Sequence, residues 1–274
     1  MTDCHGVGLV SGDSYRLLRE YSGEPFCAVV TDPPYGIRIK GIDGKQWDNG
    51  FPHPDFWREL LIHTEDSGWL ACFAGSRTSH RSAIALEEAG WKVQEIMAWI
   101  RPYAIGMSGG LKRGWEAIIL ASKGEPRKLN IDSARVCGDG LPRWPSQELP
   151  DNNRALAFQR GHPKNRRETR SPSSVVVAAE DAGLLGEQER FFIVARSATK
   201  ERGKYNTHPS VKPVSLMEHL LTLVHRPGGL ILDPFAGSGS TLVAAKRLEM
   251  RCLGIEVDKD YYEIAGRRLE EVQL

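Results

Sequence analysis

Leu230-Ile231-Leu232-Asp233-Pro234-Phe235-Ala236-Gly237-Ser238-Gly239-Ser240-Thr241 is the stretch whose reading decides the fold. A short apolar run ends in a carboxylate, turns through two glycines and opens a helical pattern that continues to Leu248. Strand, glycine turn and helix is the arrangement in which backbone amides and a helix N-terminus face a ligand. Gly237 and Gly239 let that ligand approach the main chain closely. The next apolar run, Cys252-Leu253-Gly254-Ile255, ends at Glu256, which is 19 residues past Gly237. An acidic residue at about that spacing commonly binds ribose hydroxyls. The third glycine of a dinucleotide fingerprint is missing, with Leu242 in its place, and no Lys-Ser/Thr pair follows the glycines as a phosphate loop requires. The pattern points to a nucleoside cofactor with little or no phosphate.

The same grammar recurs near the other end. The run Cys27-Ala28-Val29-Val30 leads into Asp32-Pro33-Pro34-Tyr35. Two prolines fix φ and remove two backbone donors, so the strand stops there and its carbonyls stay available as acceptors. A carboxylate, carbonyls and a flat ring at the carboxyl end of a strand suit a site that grips a planar exocyclic amine and stacks on its ring. Taken alone, the tetrapeptide reads equally as a Pro-Pro turn whose Asp caps a local amide. Asp233 likewise reads as a helix-start acceptor, Glu256 as a strand-end surface residue, and His208 as a turn residue.

Taken together, the two motifs resemble those of S-adenosylmethionine-dependent DNA amino-methyltransferases, which methylate adenine N6 or cytosine N4. The catalytic motif precedes the cofactor motif, as in the permuted beta group. Three further segments fit the resemblance. Gly12-Asp13-Ser14, upstream of the first strand, resembles the turn whose Asp reaches the cofactor adenine. His208-Pro209-Ser210-Val211-Lys212-Pro213 resembles the box that opens the helix before the cofactor strand, with Ser210 in place of the usual Thr and Val211 in place of a polar residue. Trp99-Ile100-Arg101-Pro102 followed by Arg113-Gly114-Trp115-Glu116 resembles the segment shaping the target-base pocket.

The resemblance implies roles residue by residue. Asp32, Pro33, Pro34 and Tyr35 are the catalytic set: the Asp32 carboxylate accepts one N–H of the target amine, the Pro33 carbonyl the other, and Tyr35 stacks on a base flipped from the duplex. S-adenosylmethionine is the cofactor, met by Asp13, Asp32, Ser210, Lys212, Asp233, Phe235, Gly237, Gly239 and Glu256. Within that set Asp233 faces the methionine amino group, Glu256 the ribose hydroxyls, and Ser210 with Lys212 the methionine end. An Asp rather than a Ser at the head of the tetrapeptide leans toward adenine N6. The alternatives are cytosine N4 and a catalytically silent DNA-binding subunit. Carbon-5 methylation of cytosine is disfavoured, because its nucleophilic cysteine typically sits in a Pro-Cys pair and this chain has none.

Composition agrees with an enzyme of this kind. With 274 residues and 41% hydrophobic content, one substantial core with a small insert is expected. No apolar stretch approaches the roughly 18 to 20 residues that span a membrane, and the first residues lack a secretory leader, so a cytoplasmic protein is expected. The five cysteines are scattered with no metal spacing, so they read as reduced or structural and no metal is expected. Net charge is only +1, so a double-stranded DNA partner requires positive charge to be concentrated locally. Between 154 and 170 six basic residues (Arg154, Arg160, Lys164, Arg166, Arg167, Arg170) face one acid, Glu168. A basic loop of that kind suits phosphate contacts, and equally describes a solvated charged loop. The expected division is a first catalytic part over 1–124, an inserted target-recognition region over 125–200, and a second catalytic part with the cofactor motif over 201–274. Permuted relatives often pair, so a homodimer stays open.

The remaining pattern alternates. Residues 56–64 read as a helix, 69–73 as a buried strand, 79–89 as a helix closed by Gly90, and 93–100 and 117–121 as strands. Phe191-Phe192-Ile193-Val194 reads as a core strand. A helix with Pro213 in its first turn runs to Val224, and Asp258 caps a last helix carrying Tyr262, Ala265 and Leu269. The fold class this implies is α/β: a Rossmann-like, mostly parallel sheet with helices on both faces and the inserted region beside it.

Overall fold

The computed structural model describes residues 6–35, 50–105, 113–130, 191–193 and 202–272. In chain order these form β1 (Val7–Ser11), α1 (Ser14–Arg19), β2 (Phe26–Thr31), α2 (Pro54–Ile62), β3 (Thr64–Ala74), α3 (Ser79–Glu88), β4 (Lys92–Ile105), β5 (Arg113–Ser122), β6 (Phe191–Ile193), α4 (Val214–Val224), β7 (Leu230–Asp233), α5 (Ser240–Arg247), β8 (Cys252–Glu256) and α6 (Lys259–Glu270). The strands make one sheet in the order β1-β8-β7-β2-β3-β5-β4-β6. Among them β5 alone runs against its neighbours, and every other pairing is parallel.

Central strands are apolar without interruption because both faces of the sheet are covered. All six residues of β2 are buried. Strand alternation sends Ala28, Val30, Phe73 and Ile118 to one core layer, where Leu216, Leu220, Leu242 and Ala265 of α4, α5 and α6 meet them. Val29, Leu70 and Ile119 go to the opposite layer with Leu18, Trp57, Leu60 and Leu86 of α1, α2 and α3. The three N-terminal helices thus cover one face and the three C-terminal helices the other. From β2 the chain moves outward to β3, and from β7 it moves the other way to β8. The winding therefore reverses between β2 and β7, and such a reversal opens a crevice at the carboxyl ends of those strands.

The α/β class and the two-sided covering are as expected, and the element boundaries differ in instructive ways. Val7–Ser11 is a strand that precedes the Cys27 run, so Gly12-Asp13-Ser14 follows a strand rather than lying upstream of the first one. Its glycine and its place at the sheet edge hide the pattern. The helix expected over 56–64 begins at Pro54 and ends at Ile62, because His63 gives its carbonyl to the Phe26 N–H at 2.8 Å and Thr64 opens β3. Pro213 sits at the N-cap of α4 rather than inside its first turn. Asp258 caps α6 as expected, its side chain accepting from the Asp260 and Tyr261 amides.

Residues 125–130, at the start of the expected insert, are tied to the main sheet and its covering helix. The Arg127 guanidinium donates to the carbonyls of Cys27 at 2.6 Å, Val224 at 2.5 Å and Ser67 at 3.2 Å, joining β2, α4 and β3. Asn130 reaches the carbonyls of Thr222 and His225. At the other end of that window Phe191–Ile193 lies alongside β4 in the same sheet. The basic set Arg154, Arg160, Lys164, Arg166, Arg167 and Arg170 lies outside the described residues. Among the described residues no helix is long and apolar enough to cross a membrane.

Candidate active site

Four neighbouring strands each deliver an acidic residue to the same edge. In sheet order they are β1 with Asp13 two residues past its end, β8 ending in Glu256, β7 ending in Asp233 and β2 followed by Asp32. Parallel pairing aligns the strand ends, so a sequence pattern of apolar run then carboxylate becomes a row of carboxylates along one crevice.

Asp233 is the most enclosed of them, 2% exposed. Its Oδ1 accepts from the Thr31 hydroxyl at 2.8 Å and the Phe235 amide at 3.1 Å, and its Oδ2 from the Thr241 hydroxyl at 2.5 Å. Burial pushes its pKa up to about 6, against the opposing pull of those three donors. Thr31 closes β2, so this bond joins the two strands at the winding reversal. Glu256 accepts the Gly237 amide at 2.7 Å on one oxygen and the Asp258 amide at 2.7 Å on the other. Burial raises its pKa while the amides lower it, and the net direction is upward.

Both turn glycines have positive φ, +54° at Gly237 and +80° at Gly239. A Cβ on Gly237 would lie 3.1 Å from Nε2 of His208, and one on Gly239 would lie 2.9 Å from Cβ of Ala265 in α6. Gly239 is therefore demanded by helix packing as much as by any ligand. Burial pushes the His208 pKa down to about 4, and the Lys212 charge acts in the same direction, so the ring is neutral. Its Nδ1 accepts the Ser210 amide at 3.2 Å and its ring meets Tyr261 edge-on at 4.4 Å. Phe235 rests against Phe56, ring centroids 5.1 Å apart. Asp13 is the N-cap of α1, accepting the Arg16 amide at 2.8 Å, while the Gly12 amide donates to the Glu256 carbonyl at 2.9 Å and holds this turn beside β8.

Asp32 is enclosed by residues from three parts of the chain. Lys212 Nζ donates to its Oδ2, and the Tyr35 hydroxyl donates to its Oδ1 at 2.5 Å. Glu116 on β5 completes the group, with its Oε2 3.4 Å from the Tyr35 hydroxyl and 3.6 Å from Lys212 Nζ. The Lys212 side chain is 5% exposed and lies 3.5 Å from the Ser210 hydroxyl. Burial alone would lower its pKa, but the carboxylates of Asp32 and Glu116 outweigh it and the net direction is up. Burial first, then the same two carboxylates, hold the Tyr35 phenol well above its usual range.

All the site residues named from sequence except the basic loop therefore line or border one edge of the sheet. Lys212, which the resemblance assigns with Ser210 to the methionine end, stands against Asp32. Thr31, Thr241 and the charge of Glu116 were not singled out. The signal for the threonines is a small hydroxyl beside a strand-end carboxylate, and the pairing of Glu116 with Lys212 has no local signature. Among the described residues no group of three metal-ligating side chains occurs.

Comparison with known proteins places the chain in a family. A family model described as DNA methylase matches residues 27–267. The chain is 47% identical over 285 residues to the type II methyltransferase M2.DpnII of Streptococcus pneumoniae, covering 96% of this chain and 89% of that one. It is 47% identical over 323 residues to the type II methyltransferase M.HindIII of Haemophilus influenzae, covering 98% and 96%. The structure of an M1.HpyAVI–SAM complex shares the fold, with a TM-score of 0.61 at 20% identity, covering 96% of this chain and all of that one. The chain belongs to the DNA methylase family.

Proposed function

We propose that this DNA methylase transfers a methyl group from S-adenosylmethionine to the exocyclic N6 amine of adenine, at a specific site in double-stranded DNA, with the base flipped out of the helix. One observation carries the reading: Thr31, the last residue before Asp32, is hydrogen-bonded to Asp233 at the head of the glycine turn. An acceptor for the target amine and a cradle for the cofactor thus share one crevice.

The row of carboxylates fits that cofactor, whose hydroxyls, ammonium and adenine amine are all donors. Glu256 would hold the ribose hydroxyls, Asp233 the methionine ammonium and Asp13 the adenine, with Phe235, Gly237 and Gly239 along the wall and Ser210 near the methionine end. When bound, S-adenosylmethionine supplies a methyl group already activated by its sulfonium. The protein's own part is to prepare the amine. An aromatic amine delocalises its lone pair into the ring and is a poor nucleophile until the nitrogen becomes pyramidal. Asp32 accepts one N–H and the Pro33 carbonyl the other, which favours the pyramidal form and aims the lone pair. Lys212 and Tyr35 each donate to one Asp32 oxygen, and the second lone pair of either oxygen is left to accept from the amine. Tyr35, anchored through its hydroxyl, offers its ring to the base, and Pro34 keeps the turn rigid. Positioning and fixed charges supply most of the acceleration. The basic residues of 154–170 contact phosphates, giving salt-dependent affinity. The same reading assigns the protein to the cytoplasm, as a monomer or a homodimer.

Cytosine N4 presents the same planar amine, so the product distinguishes the two. Incubation with methyl-labelled S-adenosylmethionine and duplex DNA, followed by digestion and mass spectrometry of the nucleosides, should place the label on adenine N6. Label on cytosine N4 would reassign the base, and no label on DNA would overturn the reading.

A further inference from the structure

The loop that leaves β3 is the next wall of the same crevice. Thr31 of β2 pairs in parallel with Cys72 of β3, so the residues after Ala74 stand beside the turn that carries Asp32 and Tyr35. A Cβ on Gly75 would lie 3.4 Å from Cδ2 of Tyr35, so the loop backbone runs against that ring. This loop and the first turn of α3 carry Arg77, His80 and Arg81, all exposed, and no acid occurs between Gly75 and Leu86. Among the described residues neither Arg77 nor Arg81 has an ion-pair or hydrogen-bond partner for its guanidinium. By contrast Arg16, Arg58, Arg226, Arg247, Arg251 and Arg267, also on the surface, each meet a carboxylate. The placement also runs against the helix. A helix N-terminus favours acids and a C-terminus favours bases. In α3 the first turn holds no acid and the last turn no base, with Arg81 near its start and Glu87 and Glu88 at its end. Ser82 and Leu86 form the buried face, so these reversed charges serve no packing. A local rule broken on an exposed face beside the site points to a partner that meets the cations.

We propose that Arg77 and Arg81 form a phosphate clamp on the rim of the site, gripping the DNA backbone beside the flipped base. The inference rests on the reading above, in which Tyr35 receives that base. The backbone carrying the base passes over the rim of the pocket, and the β3–α3 loop forms part of that rim. The Ser79 amide bonds the Gly75 carbonyl at 2.8 Å and the Ser82 amide the Thr78 carbonyl at 3.2 Å. Both bonds reach four residues back, so the segment coils helically and Arg77 and Arg81, four apart, lie on one side of it. A guanidinium matches two phosphate oxygens with two parallel N–H donors, and an unpaired one has no internal bond to break first. Contacts of this kind hold the duplex in register and leave the reading of bases to other residues.

The test follows transfer of labelled methyl from S-adenosylmethionine to unmethylated bacterial genomic DNA by the full chain, with KM for DNA measured from about 50 to about 200 mM salt. Each phosphate contact contributes about 0.9 to the slope of log KM against log salt. The double variant Arg77→Gln/Arg81→Gln should lose about 1.8 of that slope, so the wild-type KM should rise about tenfold more than the variant's across this range. The loss should fall on KM far more than on kcat. Arg77→Lys/Arg81→Lys keeps both charges and should restore the slope. Arg19→Gln, which removes another exposed arginine without an ion pair among the described residues, at the far end of α1, should leave the slope untouched. An unchanged slope in the glutamine variant would overturn the clamp. So would a fall in kcat with the slope retained, or a lysine pair no better than the glutamines, since either outcome marks a structural role. A wild type that methylates no DNA would instead overturn the substrate reading on which the clamp rests.

Discussion

Replacing Asp233 with Asn should make the protein gain on the wild type as pH rises. The Asp233 carboxyl is almost fully enclosed, and burial moves its pKa from an ordinary 3.8 to about 6. Because the folded value lies above the unfolded one, the protonated side chain favours folding. That contribution is fully present below about 3.8 and is lost as pH rises through about 6. At about 1.4 kcal/mol per pH unit the whole effect is about 3 kcal/mol, of which about 1.5 kcal/mol falls between pH 5 and pH 8. Asn is neutral throughout and nearly the same shape; its oxygen can keep the Thr31 and Phe235 donors while the Thr241 hydroxyl rotates to accept from its NH2. Urea unfolding of both proteins at pH 5, 6, 7 and 8 reads the difference directly. The variant should gain about 1.5 kcal/mol relative to wild type over that range. A pH-independent difference, or a wild type that gains on the variant, would refute the burial argument. The same titration implies that binding of a ligand ammonium at Asp233 strengthens as pH rises through about 6.

Arg127→Met should cost about 2–4 kcal/mol in chemical denaturation, because three main-chain carbonyls on β2, β3 and α4 lose their donor; an unchanged midpoint would contradict that. Gly239→Ala should destabilise by about 1–3 kcal/mol, since φ is +80° and the new Cβ would sit 2.9 Å from Ala265. Gly266→Ala, inside α6 with nothing within 4 Å of its Cβ position, should instead stabilise by up to about 1 kcal/mol; thermal melts that rank the two the other way would contradict both assignments.

What could be read from the chain were the features written locally. Asp32, Asp233 and Glu256 each follow an apolar run, and parallel pairing turns that one-dimensional pattern into a shared edge. Asp258 is legible because a cap bonds amides two and three residues away. The antiparallel course of β5 was not legible. Ala117 to Ala121 are buried on both faces, and a doubly covered strand shows the same unbroken apolar run in either direction. Nor was the contact of Lys212 with Asp32, which joins residues 180 apart and depends on where α4 docks against the sheet. Asp13 shows the opposite problem: its local pattern is clear, and the structure gives it a capping bond in addition to its place just past the end of β1.

Asp32→Ala puts the whole account to one measurement, transfer of labelled methyl to duplex DNA alongside calorimetric binding of the methyl donor. On the proposed reading transfer should vanish while binding stays within a few-fold of wild type, because that reading puts Asp32 against the amine and leaves the acceptors on β1, β7 and β8 to hold the donor. Sustained turnover in that variant would contradict the claim that the carboxylate beyond β2 and the turn beyond β7 serve a single methyl group.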